Sequence, residues 1–213
     1  MTITAPGYYR LTKNIVSSAM TGNIITIQQH NVTIDFNTFF IVGPNNKANT
    51  VVGVSANEFG NITIKNGTIA FCEVGIKFAG NGSATTSNIN QVVDNMRISN
   101  CWQYGVFFTA DSPGSVVSNC LFSQIGGSTN SVPFSIAIYG AGATIVTKDN
   151  LINTVTDPSG SANSSYGVSS VGFTIRNTIS NSYHGVDSSK NQNNLTRNVT
   201  VPFSGGTDAG GNN

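Results

Sequence analysis

Residues 61–78, NITIKNGTIAFCEVGIKF, decide how this chain folds. Ile62 and Ile64 alternate with polar residues, Asn66-Gly67 marks a turn, and Ile69 and Phe71 alternate again. Gly75 then opens a third apolar pair, Ile76 and Phe78. Period-two alternation in runs of about three to five residues, bounded by Asn and Gly, predicts three short strands. Such a unit cannot bury its apolar sides alone. It can if the chain coils once around an axis and the next coil stacks on it.

The same rhythm extends in both directions. Upstream, Ile25 and Ile27, then Val32, Ile34 and Phe36, then Phe39 to Ile41 make one coil. Downstream it returns in QVVDNMRISNCWQYGVFF, SVVSNCLFSQI, IAIYGAGATIVTKDNLINT, GVSSVGFTIRNTIS and GVDSSKNQNNLTRNVTV. The turn asparagines are Asn37, Asn66, Asn95, Asn119, Asn150, Asn177 and Asn198, separated by 29, 29, 24, 31, 27 and 21 residues. Periods of this length, built from strand-like runs without helices, predict an all-β solenoid of about seven coils. Length variation falls in Gly/Ser/Asn stretches such as 126–131 and 158–165, where loops are expected.

One domain, 1–203, is expected, with 1–21 as an N-terminal cap strand and 204–213 as a disordered polar tail. Cys72 and Cys101 each follow a turn Asn by six residues. They should stack about 4.8 Å apart in a column, as small buried hydrophobes or as a disulfide between coils. Cys120 does not join that column.

Composition narrows the function. Charged residues are 9% of the 213, against roughly 25% in a typical soluble domain. The surface must therefore be dressed with neutral polar groups, and 28 residues are Asn. A net charge of +1 with no basic run gives no field for nucleic acid. No apolar run approaches the roughly 18 residues that span a bilayer, so no membrane insertion is expected. The opening MTITAPGYYRLTKN has neither the charged nor the apolar segment of a secretory signal. His30 and His184 lie far apart in sequence, the cysteines lack zinc spacing, and Gly140–Gly142 lacks the Lys-Ser/Thr of a phosphate loop. No metal or cofactor is expected.

Laid out this way, the chain resembles right-handed parallel β-helix proteins of the pectate-lyase-like superfamily. These include polysaccharide lyases, polygalacturonases, phage tailspikes and periplasmic β-helix repeat proteins. The resemblance covers roughly residues 22–201 and rests on runs such as VGIKF and ITIKNGTI. It implies an internal Asn ladder at the turn between the second and third sheets, formed by the seven asparagines above. Asn suits that place because it tolerates the left-handed conformation and both donates and accepts.

Catalytic members of the superfamily work on the exposed face of the first sheet. Here that sheet should be the Gly-led runs, with Val54, Ile76, Val106, Ile136, Val168 and Val186 pointing inward. Alternation then places Ser55, Lys77, Phe107, Ala137, Ser169 and Asp187 in one outward row. Glu73, Tyr104, Tyr166 and His184 fall on the turn before it. Lys77, Tyr104, Phe107 and Glu73 form a candidate sugar patch; the alternative is a solvated Lys and aromatics covering the sheet. Lys77, His184 and Asp187 are the candidate catalytic groups, the last two as an acid/base pair three residues apart. The run YHGVD matches the polygalacturonase Gly-His-Gly element only superficially, and the accompanying paired Asp and Arg-x-Lys elements are absent, so no catalytic site is carried over.

The resulting expectation is a non-enzymatic surface, fibre or spike module, extracellular, cell-surface or virion-associated, that binds glycans or a protein partner. The alternatives are a polysaccharide lyase or glycoside hydrolase on the same face, or a subunit of a trimer or filament.

Overall fold

The computed structural model describes residues 1–80, 89–127, 134–156 and 164–213. It is a right-handed parallel β-helix, with no helix among the described residues and strands stacked in parallel on three sheets that close around one core. The loops expected at 126–131 and 158–165 lie mostly outside the described residues.

Each coil contributes one strand segment to each sheet. In coil 3 these are Thr50–Asn57 on the first sheet and the two halves of Ile62–Ala70 on the second and third, bent at Asn66. The third apolar pair of the deciding stretch, in Val74–Ala79, already belongs to the first sheet of coil 4. Register carries through the stack. On the first sheet Val54 pairs with Ile76, Ile76 with Val106, Val106 with Ile138, Ile138 with Val168, and Val168 with Val186. All six are fully buried, each worth about 1.5–3 kcal/mol against exposure.

Among the described residues the strand pairings trace nine turns, where about seven coils were expected. Thr2–Ile3, Gly7–Arg10 and Ile15–Val16 give one strand to each sheet, so the N-terminal stretch is a whole coil, not a single cap strand. At the other end Thr207–Asp208 pairs with Lys190 and Asn191, and Asn213 bonds Asn194 and Thr196. Residues 204–213, expected as a disordered tail, complete the ninth turn because their backbone finds partners on coil 8.

The Gly-led pattern has a steric cause. A Cβ on Gly75 would lie 2.6 Å from the carbonyl oxygen of Gly105 and 2.8 Å from Ile98. Gly53, Gly105, Gly167 and Gly185 face the same obstruction. In coil 6 Ala137 holds this position, which moves that coil's outward residue by two. Tyr139 faces out where Ala137 was expected, and Ile138 faces in where Ile136 was expected.

The asparagines form several columns rather than one. At the corner between the first and second sheets, Asn31, Asn61 and Asn90 all have φ near +57° (59°, 57° and 55°) and bond amide to amide. At the next corner the left-handed position holds Asn66, Asn95, Asn119, Asp149, Arg176 and Asn193. Asn37 lies in the same corner, in a longer turn where Phe36 fills the space left by Gly67. These side chains face solvent, and Asp149 and Arg176 replace the amide bond by an ion pair at 2.7 Å. Asn198 belongs to the third corner, below Asn181.

The buried ladder begins one residue later and only in coil 6. Asn150, Asn177 and Asn194 are 2%, 0% and 1% exposed. Each takes a backbone N–H of the previous coil on Oδ1, and Asn177, Asn194 and finally Asn212 take the preceding side-chain amide as well. Of the expected ladder, then, Asn150 and Asn177 are internal, whereas Asn37, Asn66, Asn95, Asn119 and Asn198 are not. The core changes at the same level. The second sheet's inward column runs Ile34, Ile64, Val93, Val117 and then Thr147, Thr174 and Asn191.

Cys72, Cys101 and Cys120 are free and buried. Burial pushes the Cys72 thiol up to about 12 and that of Cys101 higher than its ordinary value as well. Among the described residues no helix is long and apolar enough to cross a membrane, and no three His, Cys, Asp or Glu side chains cluster as a metal site would require.

Candidate functional site

The outward face of the first sheet carries two adjacent rows. The first runs Thr26, Ser55, Lys77, Phe107, Tyr139, Ser169, Asp187 and Ser204, one per coil. The second runs Val52, Val74, Tyr104, Ile136, Tyr166 and His184. Tyr104, Tyr166 and His184 therefore sit on strands of the sheet, not on the turn before it, whereas Glu73 does precede its strand.

Strict register makes the aromatics stack. Phe107 and Tyr139 lie 5.3 Å apart between centroids and 12° from parallel. Their faces look along the axis, and their edges look out. The Lys77 ammonium lies 5.9 Å from the Phe107 centroid on the other side, within the range of a cation–π contact. Beneath them Tyr104 packs at 4.5 Å from Phe107 and 5.4 Å from Tyr139. It is 7% exposed, so it supports the ladder instead of presenting a contact surface. Burial, with Tyr139 beside it, pushes its hydroxyl up to about 12.

The catalytic candidates are not brought together. Lys77 and Asp187 are four coils apart, about 19 Å at the usual strand spacing. His184 stacks on Tyr166 at 4.3 Å and 6°, and its Nδ1 is buried without a hydrogen-bond partner. No hydrogen bond or ion pair joins His184 to Asp187 among the described residues. An acid/base pair needs hydrogen-bond reach to a common substrate, and this arrangement spends the imidazole face on a tyrosine.

A depression of about 140 Å³ opens between Tyr139, Ser169 and Asp187, with Phe134 and Tyr166 at its sides. It adjoins a shallower hollow of about 590 Å³ over Ser169, Asp187 and the glycines at 140, 142, 205 and 206. Tyr139 is the residue that sequence reasoning missed. The signal was the Ile138-Tyr139 pair, which matches Ile76-Lys77 and Val106-Phe107, but no glycine marks the strand start in coil 6.

Three closed parallel sheets with left-handed corner columns define a β-solenoid, and an aromatic ladder lines the outward face of its first sheet. A family model described as a right handed beta helix region matches residues 2–172, and the chain belongs to that family. A search of curated proteins and a search of solved structures each return no match.

Proposed function

We propose that the protein is a non-enzymatic β-helix module that binds glycans on the outward face of its first sheet, in an extracellular, cell-surface or virion setting. The observation that carries this reading is the ladder Lys77–Phe107–Tyr139, held rigid by Tyr104. Preformed aromatic surface beside hydroxyls and a few charges is what recognition of a ring with polar edges requires. The distance between the ionisable groups favours binding over turnover. The test is a glycan array followed by product analysis on acidic and neutral polysaccharides. Binding without turnover, weakened about tenfold by Tyr139→Ala, is the expected result. A blank array refutes it, as does turnover that Lys77→Ala or Asp187→Ala abolishes.

Self-association into a trimer or filament has one observation in its favour. Leu121, Leu151 and Leu195 share an outward row on the third sheet, and the last two are 47% and 51% exposed. A second copy covering that row would make the mass in solution a multiple of the monomer. A strict monomer at high concentration would end this reading.

A further inference from the structure

The aromatic ladder stops two coils short of Asp187, with Ser169 between. Phe107 has Lys77 over one face and Tyr139 against the other. Tyr139 has Phe107 on one face only. On its other side coil 7 supplies Ser169 at the same position, too short to cover a ring, and coil 8 supplies Asp187. Two strand spacings, about 10 Å, separate the rows of Tyr139 and Asp187. The slot thus has an aromatic wall, a hydroxyl floor and a carboxylate wall, with Tyr166 and Phe134 flanking it. Neither this depression nor the adjoining hollow is lined by Lys, Arg or His among the described residues.

We propose that this slot is a subsite for an amine-bearing sugar residue, with its ring against the free face of Tyr139 and its ammonium held by Asp187. The proposal rests on the glycan-binding reading above. Two features select that chemistry. An aromatic face with a carboxylate one ring beyond it attracts a cation from both sides, and the protein makes half of this pairing itself where Lys77 meets Phe107. An acidic sugar placed there would meet the Asp187 charge with no cation nearby, and a neutral sugar would leave that charge uncompensated. The partly enclosed setting strengthens the discrimination, since fixed charges interact more strongly away from bulk water.

Calorimetric titration of the full chain with equal-length β-1,4 oligomers of glucosamine, N-acetylglucosamine and glucose tests the subsite, at a pH where the amine is protonated. The glucosamine oligomer should bind at least about tenfold more tightly than the other two. Asp187→Asn should bring the three within about twofold of one another. Ser169→Tyr, which extends the ladder across the slot, should remove the same preference while the melting temperature is unchanged. Equal affinity of the unaltered protein for the glucosamine and glucose oligomers overturns the subsite and leaves glycan binding standing. Binding of none of the three also overturns it, and if the array is blank as well, the glycan-binding reading falls with it.

Discussion

Asn95 donates a hydrogen bond from Nδ2 to Oδ1 of Asn66, 3.0 Å away and 29 residues earlier in the chain. The bond follows from register: Lys65 pairs with Asp94 and Gly67 with Met96, so the two amides lie one above the other. It also separates two roles that one residue type plays here. Asn66 and Asn95 hold a left-handed corner at the surface, with φ of 61° and 50°. The buried amides that bind coil to coil lie one position further along, in Asn150, Asn177 and Asn194.

The two roles predict different costs. Asn177 accepts from Asn150 and donates to Thr147, Ile175 and Asn194 inside the core. Asn177→Ala should lower unfolding free energy by about 3 kcal/mol or more, because several buried groups lose their partners at once. Asn95→Gly should cost less than about 1 kcal/mol, since glycine keeps the left-handed corner and only an exposed bond is lost. Urea denaturation of both variants checks the contrast, and equal losses would contradict the two-column description.

Thr154 occupies a left-handed corner at φ 64°, where a β-branched residue is strained. Asn181, one coil on, reaches back to Asn153 with its amide at 2.8 Å. Thr154→Asn should raise stability by about 1 kcal/mol by relieving that strain. A lower denaturation midpoint would count against the corner assignment.

The glycine column makes a steric prediction. Gly75→Ala drives a Cβ toward the Gly105 carbonyl and Ile98, both fixed in the stack. Overpacking of this kind typically costs about 1–3 kcal/mol. A thermal melt indistinguishable from that of the unaltered protein would show that the coils are not packed as closely as described.

The three thiols tie stability to pH. Burial raises Cys72 from 9.0 to about 12, raises Cys120 similarly, and raises Cys101 too. In the unfolded chain they ionise first, so the stabilisation from keeping them protonated is complete below about pH 9. It declines as pH rises from there toward 12. Native protein should leave all three unmodified by a thiolate-selective reagent at neutral pH, and denatured protein should expose three. Rapid labelling of the folded state would contradict their burial.

Alternation of apolar and polar residues, bends at Asn-Gly and the Gly-led runs were enough to define a stacked parallel solenoid. Each of these signals acts over a few residues. The candidate site was half legible by the same means, since Lys77, Phe107, Ser169 and Asp187 were placed in one outward row from strand alternation alone. Tyr139 was missed because Ala137 stands where the coils on either side carry glycine, at Gly105 and Gly167. The distinction between Asn119 and Asn150 was missed because adjacent corner positions look alike until a partner coil lies beside them.

Local backbone preference and period-two burial, both properties of short segments, thus determined the fold class and the inward faces from the amino-acid order alone. The tertiary structure decided which column each residue joins, that both chain ends become full coils, and that Tyr139 faces Asp187 across Ser169. Register between coils sums every turn and loop length over some 20–30 residues. A shift of one or two residues moves a side chain to a new column without changing the pattern around it.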